Sequence, residues 1–172
     1  MTRFTVLVAA LETRSALRAT AVHTADAIAA HTGVPACIDV IDLAALGPAL
    51  LAEEATDGVA DALATIAATD VLIVATPQIH GSYTGLLKVF LDRLPELGLA
   101  HVIALPLAVV DDLRNGYNIE SDLRVLLSDL GAWVAEPGLV LATSELAEPL
   151  SVVDAWAEVA APSLRQALAV AV

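Results

Sequence analysis

The chain has 172 residues, 58% hydrophobic and 3% aromatic, with 21 acidic against 8 basic residues and a formal net charge of −13. That length suits one domain with one sizeable core, and the charge argues against nucleic acid or an anionic membrane as partner. The single Cys37 excludes an internal disulfide and fits a reducing cytoplasm.

Mean hydropathy is high, at +0.75, yet Asp, Glu, Gly or Pro interrupts each apolar run well short of a membrane span. With so few aromatics the core must be aliphatic and Ala-rich. The opening MTRFTVLVAALETR lacks a small-residue cleavage site, so residues 4–10 read as a first strand rather than a leader. Thr13 or Ser15 is placed to cap the helix that follows, with Leu17, Ala21, Ala25 and Ile28 as its inner stripe. Gly33 and Pro35 end it. A second strand is expected over residues 36–42, an irregular stretch over 43–56 and a short helix over 57–68.

Residues 70–92 carry the strongest signal. Residues 71–75 are a buried strand. Residues 76–85 form a loop broken by Pro77, Gly81 and Gly85. Residues 86–94 form a helix with Leu87, Phe90, Leu91 and Leu94 on one face. A fourth strand over 101–108, a polar loop over 111–118 and a helix over 120–130 follow, the last with Leu123, Leu126, Leu127 and Leu130 inward. A last strand spans 133–142, broken at Pro137 and Gly138, and a final helix spans 151–171.

Strands alternate with helices about five times over short connections, a pattern that predicts an α/β fold. The expected sheet has five parallel strands, order 2-1-3-4-5, right-handed crossovers and helices on both faces. The loops after strands one, three and four then gather at a topological switch point.

Taken alone, the loop 76–85 is either a ligand loop whose amides face a flat ring or a plain strand-to-helix turn rich in breakers. Thr13, Arg14, Ser15 and Arg18 are the residue types that hold a phosphate at a helix N-terminus, or else a cap and two solvated cations. His80 is a candidate donor in the loop. His23, His31 and His101 are scattered without metal spacing. No G-x-S-x-G, G-x-G-x-x-G or P-loop occurs.

The string ATPQIHGSYTGLLKVFLDRLP resembles the loop and helix of the NAD(P)H-dependent FMN reductases of flavodoxin-like fold. It is most similar to the flavin reductase components of two-component alkanesulfonate monooxygenases. Thr76, Pro77, Gly81, Ser82, Tyr83, Gly85, Leu87, Lys88, Leu91 and Asp92 match the family pattern, and the likeness continues to Ala108. The resemblance implies a single flavodoxin-like three-layer sandwich over residues 1–172. It also implies hydride transfer from NAD(P)H to FMN, for which no catalytic side-chain dyad is expected. The ring is expected beside Thr76, Pro77, Gln78, Ile79, His80, Gly81, Ser82 and Tyr83, and beside Val109, Val110 and Asp111. The phosphate is expected at Thr13, Arg14, Ser15 and Arg18. A homodimer or homotetramer and a partner monooxygenase are implied as well.

The chain departs from that pattern in three places. Ile79 stands where the family has Tyr. The first loop, residues 9–15, has no Gly and carries Glu12. Residues 108–112 read Ala-Val-Val-Asp-Asp where relatives carry a Gly-Gly pair, so side chains are expected in space that Gly leaves empty. Relatives linked to sulfonate monooxygenases insert a Tyr in the following helix, where Ser121 stands here. Tyr117 is read either as a substitute for that Tyr or as a loop aromatic packing down. These departures motivate a second reading: a degenerate flavodoxin-fold protein with weak or no FMN binding, serving as a binding or structural subunit.

Overall fold

In the computed structural model, which describes residues 1–170, one parallel sheet divides two helical layers. Its strands are β1 (Thr2–Val8), β2 (Ala36–Asp42), β3 (Val71–Pro77), β4 (Ile103–Val110), β5 (Trp133–Val134) and β6 (Leu139–Ala142). Their order is β2-β1-β3-β4-β5, with β6 also on β4. The expected fifth strand is therefore real but split. β5 pairs with Ile103 and Ala104, and β6 with residues 107–110 of the same strand. The break falls at Glu136–Pro137, a cis peptide, where the Trp156 indole N–H donates to the Pro137 carbonyl at 2.9 Å. The six-strand count thus reduces to the flavodoxin-like order expected, because one edge strand is interrupted by a residue without a donor.

Alternating side chains of the central strands feed two cores. Val6, Val8, Ile73, Leu105, Leu107 and Val109 pack under α1 (Ala16–Thr32) and α6 (Leu150–Val170). Leu7, Leu72, Val74, Ala104, Ala108 and Val110 pack on the other face. That face is covered by α2 (Leu43–Leu46), α3 (Asp57–Ala67), α4 (Gly85–Leu91) and α5 (Gly116–Asp129). The stripe Leu17, Ala21, Ala25 and Ile28 is buried as expected. Ser15, not Thr13, caps α1, and Gly33 ends it in left-handed backbone at φ 72°.

Two expectations change at the switch edge. β4 runs two residues past its expected end, which puts Val109 and Val110 inside the sheet, each buried in one of the two cores. Their side chains therefore do not fill the space above the sheet. The loop at 111–118 is shorter than expected, since a 3-10 turn at Leu113–Asn115 leads straight into α5. Gly116 permits this early start. A Cβ there would come within 2.6 Å of Val140 Cγ1, so the first turn lies directly on β6. Tyr117 consequently sits in the first turn of α5, 78% exposed, and does not pack down. α5 is regular α-helix past Ser121. The final helix is described as far as Val170, and Ala171 lies outside the described residues.

Candidate functional site

The carboxyl ends of β1, β3 and β4 meet at one edge, and threonines tie them together. Ala9 N–H continues the β1 ladder onto the Ala75 carbonyl at 2.8 Å. The Thr84 hydroxyl donates to the Ala9 carbonyl at 2.9 Å and accepts from the Leu87 N–H, capping α4. The Thr84 N–H in turn donates to the Thr76 hydroxyl at 3.2 Å. Thr76 and Thr84 are both buried. Each bond is worth about 1 kcal/mol net, and each would cost more if one partner were left buried and unpaired. The first loop and the third loop are thus held at a fixed separation.

Beyond Thr76 the chain makes a tight two-residue reversal. Ile79 N–H donates to the Ser82 carbonyl at 2.8 Å, and Ser82 N–H donates back at 3.2 Å. The central pair, His80 and Gly81, have φ of 50° and 89°. Positive φ at both positions is the requirement of a type I′ turn; Gly meets it freely and His tolerates it. The Gln78 N–H is spent on the Val109 carbonyl at 2.7 Å, which locks the base of the turn to β4. The Ser82 hydroxyl donates to Asp122 on α5 at 2.8 Å. The amides of His80, Gly81 and Tyr83 donate to no acceptor among the described residues. Three unspent donors on a rigid turn suit a flat ring bearing carbonyl and ring-nitrogen acceptors.

The other end of the edge is the start of α1. Thr13, Arg14, Ser15 and Arg18 line a cleft of about 700 Å3 together with Ala19, Asp42 and Ala45. The Ser15 hydroxyl accepts from the Arg18 N–H at 3.3 Å. The Ala16 and Leu17 amides, in the first turn, have no acceptor in the described chain. Neither Arg14 nor Arg18 is within ion-pair distance of a carboxylate among the described residues. Arg14 is exposed and Arg18 partly exposed, and Asp42 in the same cleft accepts from the Arg14 N–H at 3.3 Å. Glu12 is exposed and does not line the cleft.

The predicted residues therefore divide. Thr13, Arg14, Ser15 and Arg18 come together at one end, and Gln78, Ile79, His80, Gly81, Ser82 and Tyr83 at the other, with Thr76 and Pro77 as the connection. Val109 contributes a carbonyl that is already used, and Val110 is buried. Asp111 is exposed and accepts from the Thr143 hydroxyl at 3.0 Å. Sequence reasoning missed Thr84, Asp122 and Asp42. Thr84 occupies a visible cap position before α4, whereas the two aspartates are brought in from 28 to 40 residues away. The donor set fits a flavin mononucleotide: unspent amides for the ring, and hydroxyls, two cations and a helix N-terminus for the phosphate.

Comparison with known proteins bears on the family and the fold. The chain is 38% identical over 82 residues to an FMN reductase (NADPH) of Pseudomonas putida, a match covering 48% of this chain and 42% of that enzyme. The chain thus spans less than half the length of this curated relative. An oxidoreductase from Corynebacterium diphtheriae superposes with a TM-score of 0.86 at 28% identity, covering 97% of this chain and 96% of that one. An NADH:FMN oxidoreductase in its apo form superposes with a TM-score of 0.84 at 25% identity, covering 96% and 89%. A family model described as NADPH-dependent FMN reductase matches residues 2–146. The chain belongs to the NADPH-dependent FMN reductase family.

Proposed function

We propose that the protein is an NAD(P)H-dependent FMN reductase. The observation that carries this reading is the pairing, at one sheet edge, of a tight turn with unspent amides and a helix N-terminus with two arginines that have no ion-pair partner among the described residues. Thr84 and Ala9 set the distance between them. Bound flavin would supply acceptance of hydride from NAD(P)H, and a partner monooxygenase would be the user of the reduced flavin. The chain's own part is binding and orientation. His80, Gly81 and Tyr83 offer amides to the ring, and Thr13, Arg14, Ser15 and Arg18 hold the phosphate. Ser82 and Asp122 fix the turn against α5.

The reading includes a homodimer, formed through the cleft between α4 and α5. That cleft is lined by Tyr83, Val125, Leu126 and Leu130 together with Lys88, Asp92, Asp122 and Asp129, and Val125 is 68% exposed. It also includes a cytoplasmic location, supported by the single Cys37 and by the use of NAD(P)H.

The test is direct. The purified protein is examined by absorbance, titrated with FMN, and assayed for NADH and NADPH oxidation with flavin present. Flavin affinity with NAD(P)H oxidation is the expected result. A protein with neither property would overturn the reductase reading and leave the binding or structural subunit in its place.

A further inference from the structure

One carboxylate stands inside the cleft at the start of α1 and already holds an amide that an anion would need. Asp42 closes β2 and caps α2, its Oδ1 accepting from the Ala44 N–H at 3.2 Å. Its Oδ2 accepts from the Arg14 N–H at 3.3 Å. Arg14 lies in left-handed backbone, with φ of 56°, so its amide is committed to β2 in a conformation that L residues adopt uncommonly. Asp42 lines the same cleft as Thr13, Ser15 and Arg18. The Ser15 hydroxyl accepts the cap bond from the Arg18 N–H and keeps its own O–H to donate. A phosphate here would meet two cations and two free first-turn amides, but also a fixed negative charge and one amide already taken.

We propose that Asp42 is a specificity-determining residue that cancels most of the advantage of a 5′-phosphate. The site then takes flavin chiefly by its ring and accepts riboflavin nearly as well as FMN. This inference rests on the flavin reading above. The physical reason is charge. Arg14 is exposed and Arg18 partly exposed, so their attraction for a phosphate is screened. The Asp42 carboxylate is only partly exposed and repels that same phosphate. Riboflavin, lacking the phosphate, neither gains from the arginines nor loses to Asp42.

Quenching of flavin fluorescence on the intact protein tests this, with FMN and riboflavin as the two probes. Wild type is compared with Asp42→Asn, which keeps an oxygen to cap Ala44 while removing the charge, and with Asp42→Ala. Wild type is expected to bind the two flavins with Kd values within about threefold of each other, against the far larger gap that two or three charge-assisted phosphate contacts would give. Asp42→Asn is expected to tighten FMN by roughly threefold to tenfold, the size of one screened charge contact, and to leave riboflavin unchanged. Asp42→Ala is expected to shift the FMN-to-riboflavin ratio the same way. A purely structural role would move both flavins together. A wild-type preference for FMN above about thirtyfold, or an unchanged ratio in Asp42→Asn, overturns the proposal and leaves the reductase reading standing. No binding of either flavin to any of the three proteins overturns both.

Discussion

The Ser82 hydroxyl donates to the Asp122 carboxylate at 2.8 Å, joining the tip of the β3–α4 loop to the middle of α5. This bond is the side-chain tie of the His80–Gly81 turn to α5, and it is solvent-accessible. Its loss is expected to cost little stability, about 0.5–1.5 kcal/mol. It is expected to loosen the three unspent amides of the turn. Asp122→Ala and Ser82→Ala should therefore each raise the KM for flavin by roughly three- to tenfold, with Tm lowered by no more than a few degrees. The double variant should be no worse than either single one, as expected for two halves of one contact. Steady-state kinetics with thermal melts checks this; additive effects would mean that the two residues act separately.

Thr84 supports the site from below. Its hydroxyl serves the Ala9 carbonyl and the α4 N-terminus at once, and the residue is buried. Thr84→Val keeps the shape and removes both bonds. We expect a loss of about 2–3 kcal/mol, since a buried acceptor and a helix cap are lost together. Thr84→Ser is expected to lose under about 1 kcal/mol, because the hydroxyl survives. Urea unfolding of the three proteins measures the difference, and equal losses in the two variants would show that the methyl group, not the hydroxyl, is what matters.

The start of α5 makes a third test. Gly116 has no room for a Cβ, because Val140 Cγ1 would be 2.6 Å away. Gly116→Ala is expected to destabilise by about 1–3 kcal/mol through overpacking. Val140→Ala on its own removes two methyl groups from β6. In combination with Gly116→Ala it opens the space that the new methyl needs, so the double variant should be more stable than the sum of the single losses predicts. Strict additivity in denaturant titrations would overturn this.

Much of this layout was legible in the sequence, and the limits have physical causes. The strand runs and the stripe Leu17, Ala21, Ala25 and Ile28 follow from periodicity, which is local information. The breakers Pro77, Gly81 and Gly85 located the loop that holds the turn. Val109 and Val110 were misread because a strand end is poorly marked: two more Val residues extend β4 as readily as they begin a loop. Tyr117 was misread because Gly116 looks like a breaker until Val140 is seen beside it. Asp42 and Asp122 carry no local signal at all. Their roles come from crossovers that bring β2 and α5 against loops 28 and 40 residues distant.

Asp112 gives the protein a small acid-side dependence. Its carboxyl is held below the usual carboxylate range, first by side-chain hydrogen bonds from Arg114 and then by the Arg114 N–H. A folded-state pKa below the unfolded one adds stability above the unfolded pKa and loses it as pH falls through the folded one. The Tm advantage of wild type over Asp112→Asn is therefore expected to be small and constant near neutrality. It should shrink below about pH 4 and vanish below the folded-state pKa. Melts across that range check it, and a difference that grew on acidification would contradict the assignment.

The split edge of the sheet bears on how copies of this protein can meet. β5 offers two residues and β6 four, with Pro137 between them. The Val134 and Ala135 carbonyls accept from the Arg124 guanidinium, which is also paired with Glu120 and Glu136. No stretch on this border is long enough, or free enough, to template a foreign strand. The opposite border, β2, is seven residues long but carries the charges of Asp39 and Asp42. Two such borders, from chains of net charge −13, repel one another. The sheet is thereby guarded against runaway strand addition at both margins.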